Sequence, residues 1–154
     1  MNQTMLLPVL ISLAVIFATI FIHGIGTVWG VKLLVNAQNK KAGKMKLKTA
    51  LYWLSISAIF LMLLHFIEIT IWAMVYMVIP DIHQLTSFEQ AIYFSLITYG
   101  TVGYGDITLG DHWRIMSGFE AMDGIMLFGW SSAMLYTVVQ RILIKVHPIQ
   151  NEQK

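Results

Sequence analysis

The segment 101–106, Thr-Val-Gly-Tyr-Gly-Asp, combines residue types that suit the binding of a dehydrated cation. Such a cation needs oxygen ligands in place of its water shell, and successive backbone carbonyls can supply them if all of them face one axis. The backbone must then alternate through conformations that glycine reaches at no steric cost, and Gly103 and Gly105 provide them. The threonine adds a hydroxyl oxygen, and we expect Val102 and Tyr104 to pack outward and brace the segment. A phosphate-binding loop is excluded because no lysine with a serine or threonine follows.

The rest of the chain is suited to a membrane rather than to water. Of its 154 residues, 57% are hydrophobic and only 12% are charged, well below the usual quarter. Three long apolar stretches, at about 5–35, 49–79 and 115–139, each exceed the roughly 20 residues that cross a bilayer as a helix. The chain has no cysteine, which excludes disulfides and thiolate sites, and its net charge of +2 gives no indication of nucleic-acid binding.

The placement of lysine and arginine predicts how the chain is oriented. Basic residues cluster in or beside the first loop, at Lys32, Lys40, Lys41, Lys44, Lys46 and Lys48. Others follow the third stretch, at Arg141, Lys145 and Lys154, whereas only Arg114 lies between the second and third stretches. We therefore expect a multi-pass protein of the cell membrane with an external N-terminus and a cytoplasmic C-terminus. Membrane lipid is the expected surrounding, and the basic linker is a solvated orientation signal that could also touch anionic lipid.

A further short apolar run, 88–97, lies in the external region 80–113 and is too short to cross the membrane. Ser87 and Gln90 match a capping box, which predicts a helix that begins at this point, and Gly100 could end it. A helix that enters the membrane without crossing must be buried in protein or line water. One chain offers little cover for it, so several copies around an axis are expected.

The order of helix, short helix, glycine segment and helix resembles the pore domain of bacterial two-helix potassium channels, over residues 49–145, with one extra N-terminal helix. The resemblance implies an all-α membrane fold with three transmembrane helices, a re-entrant pore helix and a selectivity-filter loop. It further implies a homotetramer that conducts K⁺ passively and is not an enzyme. No cofactor, nucleic acid or small-molecule substrate is expected, and K⁺ at the filter is the only expected metal.

The resemblance also assigns roles to individual residues. The ion-binding positions would be Thr101, Val102, Gly103, Tyr104 and Gly105. The filter would be supported by Tyr93, Thr98 and Asp106, the tyrosine hydroxyl bonding to the aspartate. The hinge and cavity positions would be Gly124, Ile125, Phe128, Ser132 and Tyr136. Gly100 departs from the family, which has threonine there, and this puts the rigidity of the filter in doubt.

Four ionisable residues fall inside the apolar stretches, where such residues are functional hypotheses by default. His65 and Glu68 are spaced i, i+3 and share a helix face, as do Glu120 and Asp123. We favour a hydrogen-bonded brace between helices, and a proton-sensitive gating network is the alternative. His65 and Glu68 alone are too few ligands for a metal site.

The predicted organisation has four parts: an extra helix at 1–35, a basic cytoplasmic linker at 36–48, a pore domain at 49–145 and a short cytoplasmic tail at 146–154. No segment repeats arginine at every third position, so no voltage sensor is expected. Two alternatives stay open: a weakly selective or non-selective cation channel, and a non-conducting protein that uses the pore fold for assembly or signalling. An intramembrane enzyme built on Glu120 and Asp123 is disfavoured, because no nucleophile or metal cluster accompanies them.

Overall fold

The computed structural model describes residues 3–39, 45–110 and 112–146. These parts form four α-helices and no strand: α1 is Gln3–Asn39, α2 is Leu47–Val78, α3 is Phe88–Tyr99 and α4 is Arg114–Val146. The predicted all-α class is therefore confirmed. Three helices are long and apolar enough to cross a membrane, over Met5–Asn36, Leu47–Val78 and Arg114–Val146. Most of the predicted linker, with Lys40, Lys41 and Lys44, lies outside the described residues, as does the tail from 147 onward.

The first helix packs along both α2 and α4. Its Gly26 faces the side chain of Leu64, and its Gly30 faces the ring of Phe60. A Cβ on either glycine would come within 2.8 and 2.7 Å of these side chains, respectively. Small residues on one face let two helices approach closely, which is how membrane helices associate when lipid offers no hydrophobic driving force.

The core lies where α2, α3 and α4 meet. Large side chains fill it with almost no exposed surface: Trp72, Tyr76, Tyr99, Met116 and Leu127. At the other end of the bundle, the amide of Met45 donates to the carbonyl of Lys145, which ties the start of α2 to the end of α4. The outward faces stay apolar, for example at Phe17 and Val78, as expected for helices that contact lipid.

The short helix α3 begins at its predicted cap. The Ser87 hydroxyl accepts from the Gln90 amide at 3.2 Å. The Gln90 side chain does not complete the box as the motif predicts: it accepts from the amide and hydroxyl of Thr86, at 2.9 and 3.0 Å, instead of from the Ser87 amide. The helix ends at Tyr99, and Gly100 follows with a φ of −73°, so this glycine does not serve as a left-handed cap.

Candidate functional site

The loop after α3, residues 101–106, alternates the sign of φ along its length. Thr101, Gly103 and Gly105 have φ values of 58, 53 and 78°, whereas Val102 and Tyr104 between them do not have positive φ. The two glycines adopt this conformation freely. Thr101 is β-branched, so its positive φ is strained, and such strain is concentrated at functional sites.

The first amides of this loop point back at the end of α3. Thr101 donates to the Thr98 carbonyl at 2.9 Å, and both Val102 and Gly103 donate to the Ile97 carbonyl, at 2.8 and 3.0 Å. These bonds satisfy carbonyls that any helix C-terminus leaves unpaired. Among the described residues, no backbone amide donates to a carbonyl of residues 101–106. The carbonyl oxygens of the loop are therefore left without backbone partners and could bind a cation.

The predicted hydrogen bond between α3 and the C-terminal end of the loop is present. The Tyr93 hydroxyl donates to Asp106 Oδ2 at 2.7 Å, and this bond raises the pKa of the Tyr93 hydroxyl above its ordinary value. The side chains of Val102 and Tyr104 differ from expectation, because they are 55% and 74% exposed and do not brace the loop within one chain.

A cavity of about 610 Å³ adjoins the loop, between α3 and the start of α4. Its lining includes Thr98, Thr101, Gly103 and Gly105. Thr98 therefore contacts this space as well as accepting from the Thr101 amide through its carbonyl. One face of the loop is thus open and concave.

The family described as "Ion channel" matches residues 49–141, which is more than half of the chain and includes α2 from its third residue, all of α3 and the loop. This chain belongs to the ion channel family. No curated protein and no solved structure matches it. The match ends inside α4 and does not include α1, so the first helix of the channel is an addition to the part that the family describes.

At Gly124, α4 approaches the end of α3 closely. A Cβ there would overlap the carbonyl oxygen of Tyr99 and lie 2.9 Å from its carbonyl carbon and 3.1 Å from its ring. The helix α4 runs through this position without a break. A packing requirement therefore explains this glycine in the structure, and its role as a hinge stays a prediction.

The positions predicted to line a cavity are exposed in the single chain. Ile125, Phe128 and Tyr136 are 61%, 37% and 64% exposed, and Ser132 is also exposed. Phe128 also contacts the interior of the chain. Its ring centroid lies 4.5 Å from that of His65 and 5.4 Å from that of Tyr99. It lies between the exposed face of α4 and the buried polar residues behind it.

Glu68 is the centre of a buried polar cluster that joins all four helices. Its carboxylate bonds to Nδ1 of His23 on α1 at 2.8 Å and to Nδ1 of His65 on α2 at 3.0 Å. The Tyr99 hydroxyl of α3 donates to it at 2.7 Å. On the far edges of the two imidazoles, Ser131 Oγ of α4 lies 2.9 Å from His65 Nε2 and 3.3 Å from His23 Nε2. We call these five residues the histidine cluster.

The sequence puts His65 and Glu68 on one helix face but does not predict their contacts with His23, Tyr99 and Ser131. His23 is the only ionisable residue in the first apolar stretch before Lys32, and this was the one indication in the sequence that it could have a role. No signal marked Ser131 or Tyr99.

The acidic pair on α4 does not act as a pair. Asp123 Oδ2 accepts from Thr19 of α1 at 2.8 Å and from the Trp72 indole of α2 at 2.9 Å. Glu120 Oε2 accepts from the Tyr76 hydroxyl of α2 at 2.8 Å. Each carboxyl group therefore bridges α4 to another helix through its own donors, an arrangement that supports the brace interpretation.

We expect Tyr76→Phe to lower the free energy of unfolding of the channel by about 1–3 kcal/mol, because it removes the donor to Glu120 and leaves a buried acceptor unpaired. The measurement is thermal unfolding of the detergent-purified protein. Tyr52→Phe is the matched control: Tyr52 lies on the same helix, is 59% exposed, and should change stability by no more than about 0.5 kcal/mol. Equal effects of the two substitutions would argue against the brace.

Proposed function

We propose that the channel is potassium-selective and that the loop 101–106 is its filter. The observation that carries the proposal is the alternating φ of Thr101, Gly103 and Gly105, combined with amides that point at α3. This geometry supports a column of carbonyl oxygens that face away from α3 and replace the water shell of K⁺. Ions would then pass between adjacent sites, none of which binds too tightly for release.

We also propose that four copies assemble around one axis. Support comes from the exposed side chains of Val102 and Tyr104 and from the exposed positions along α4, all of which lack cover in one chain. A homotetramer would bury the re-entrant α3 and close the filter. The lysine distribution supports a filter on the outer side, with the N-terminus outside and the C-terminus in the cytoplasm.

In this proposal the pore domain spans residues 49–145, and α1 forms a separate peripheral helix. The basic linker 36–48 and the tail 146–154 are proposed to be cytoplasmic. Flow is passive, and neither an enzyme activity nor a cofactor is required.

Potassium flux from liposomes tests conduction. The purified channel is reconstituted with a high internal K⁺ concentration, and uptake of a tracer cation is followed after external K⁺ is removed. We expect uptake that depends on the protein and that barium blocks, because Ba²⁺ competes for carbonyl sites of the same size. Protein that is inserted and folded but gives no flux would favour the non-conducting alternative.

A further inference from the structure

The histidine cluster has the donor set of a transition-metal site. His23, His65 and Glu68 each offer one ligand atom, and these atoms all lie within 4.8 Å of one another. All three side chains are at most 5% exposed. Two imidazoles and one carboxylate are a ligand set that Zn²⁺ and similar borderline divalent cations take, with a fourth position left open.

We propose that this cluster binds one Zn²⁺-class divalent cation per chain and thereby clamps α1 to the pore domain. His23 comes from α1, whereas His65 and Glu68 come from α2. The cation would be held at the Nδ1 edges of the two rings, which converge on Glu68 at 2.8 and 3.0 Å. Nothing in the conduction mechanism uses these side chains.

The surrounding residues form the outer shell that a metal site needs. Ligating histidines almost always donate their second nitrogen to an oxygen, which fixes the orientation of the ring. Here both Nε2 atoms face Ser131 Oγ, at 2.9 and 3.3 Å. The Tyr99 hydroxyl donates to Glu68 Oε2 and fixes the carboxylate in the same way.

A count of hydrogens shows that the metal-bound form satisfies every group of the cluster. A carboxylate has no hydrogen to give, so both Nδ1 atoms carry one in the metal-free cluster, and two neutral rings then leave both Nε2 atoms as acceptors. The single Ser131 hydroxyl hydrogen reaches only one of them. A divalent cation that replaces both Nδ1 hydrogens leaves a hydrogen on each Nε2, and the two lone pairs of Ser131 Oγ accept both.

The charge of the buried region also favours a bound cation. The buried side chains in the described part of the chain include three carboxyl groups, Glu68, Glu120 and Asp123, but no lysine or arginine. Buried charges require opposite charge nearby. Glu68 is the carboxyl group that lies in the cluster itself, and a dication held there would supply that opposite charge.

Phe128 is the proposed entry point for the ion, because it lies between the cluster and the exposed face of α4. This ring packs 4.5 Å from the His65 ring and is 37% exposed on the face of α4 that is proposed to line the cavity. In this proposal, rotation of the Phe128 side chain would open the cluster toward the exposed face of α4.

The test is metal binding by the purified full-length channel, and it requires no conduction. The protein is stripped with EDTA, loaded with Zn²⁺, dialysed and analysed for metal content, and a parallel sample is titrated with Co²⁺ while visible absorption is recorded. We expect one Zn²⁺ per chain and the intense d–d bands of four-coordinate Co²⁺. A folded wild-type channel that retains no Zn²⁺, as a purely protonated cluster would, overturns the proposal.

Variants locate the ion. His23→Gln should abolish the Co²⁺ bands, and Ser131→Ala, which keeps every ligand, should weaken Zn²⁺ binding by about 10- to 100-fold. His83→Gln is the matched control, because His83 is exposed in the loop before α3 and should bind as wild type does. Zn²⁺ binding that survives His23→Gln, or that is lost on His83→Gln, places the ion elsewhere and overturns the proposal. If His23→Gln does not fold, the Zn²⁺ affinity of Ser131→Ala decides the question. An affinity equal to that of wild type would overturn the proposal.

Discussion

Gly124→Ala should destabilise the channel and abolish potassium flux, whereas Gly129→Ala on the same helix should do neither. The new Cβ at position 124 would overlap the Tyr99 carbonyl oxygen, and backbone cannot rotate away as a flexible side chain can. Overpacking of this kind costs about 1–3 kcal/mol and forces α4 and α3 apart. Tyr99 lies two residues before Thr101, so the displacement reaches the filter directly.

Gly129 provides the control because a Cβ there meets no atom of the chain within 4 Å. Alanine also favours a helix over glycine by up to about 1 kcal/mol, so Gly129→Ala should raise stability slightly. The two substitutions make the same chemical change on one helix and are expected to act with opposite sign. Thermal unfolding in detergent and the liposome flux assay measure both effects. A Gly124→Ala channel as stable as Gly129→Ala would contradict the close approach of α4 to α3.

Gly103→Ala should remove potassium flux and leave the fold intact. Its φ of 53° is a conformation that costs an L-residue about 1–2 kcal/mol, and this cost recurs in every copy of the assembly. A Cβ at Gly103 meets nothing within 4 Å of its own chain, so the helices should pack as before. The carbonyls at this position would then turn from the axis, and the column of oxygen ligands would be interrupted.

The separation of fold from flux is what makes this substitution informative. The size of the purified assembly should match that of wild type, and the loss of stability should not exceed the strain of about 1–2 kcal/mol per chain, while barium-sensitive uptake falls to the level of protein-free liposomes. Retained potassium-selective uptake in Gly103→Ala would show that conduction does not depend on the backbone geometry of the 101–106 loop.

Features that depend on local sequence could be predicted. Hydropathy and length predicted the three membrane-crossing helices, although α4 runs from Arg114 to Val146 rather than over 115–139. The extra turns at its C-terminal end carry Arg141 and Lys145, whose charges interrupt the apolar run. The capped start of α3 and the positive φ of Gly103 and Gly105 were likewise local properties of residue type.

Features that depend on the rotation of one helix against another could not be predicted. Helices that are apolar on every side do not reveal which face packs inward, so nothing indicated that His23 would meet Glu68, 45 positions later. For the same reason, the contacts of Ser131 and the donors to Asp123 could not be predicted. The strained φ of Thr101 was missed because residue type argues against it.

Gly100 is relevant to the alternative function of a weakly selective cation channel. The potassium channels that the chain resembles have threonine at this position, and glycine removes one hydroxyl from the N-terminal end of the proposed filter. A Cβ at this position would come 2.9 Å from the Leu96 carbonyl oxygen, so the present turn favours glycine. A filter with one hydroxyl fewer could discriminate less strongly between K⁺ and Na⁺, and this is the reason for the rival of a weakly selective cation channel.

Potassium selectivity is the central claim, and the reversal potential tests it most directly. The reconstituted channel is recorded in a planar bilayer with K⁺ on one side and Na⁺ at equal concentration on the other. The account predicts a reversal potential far from zero with the K⁺ side negative, because the voltage must oppose the diffusion of K⁺ toward the Na⁺ side. A reversal potential near zero would mean that the pore does not distinguish the two ions, and it would contradict the account.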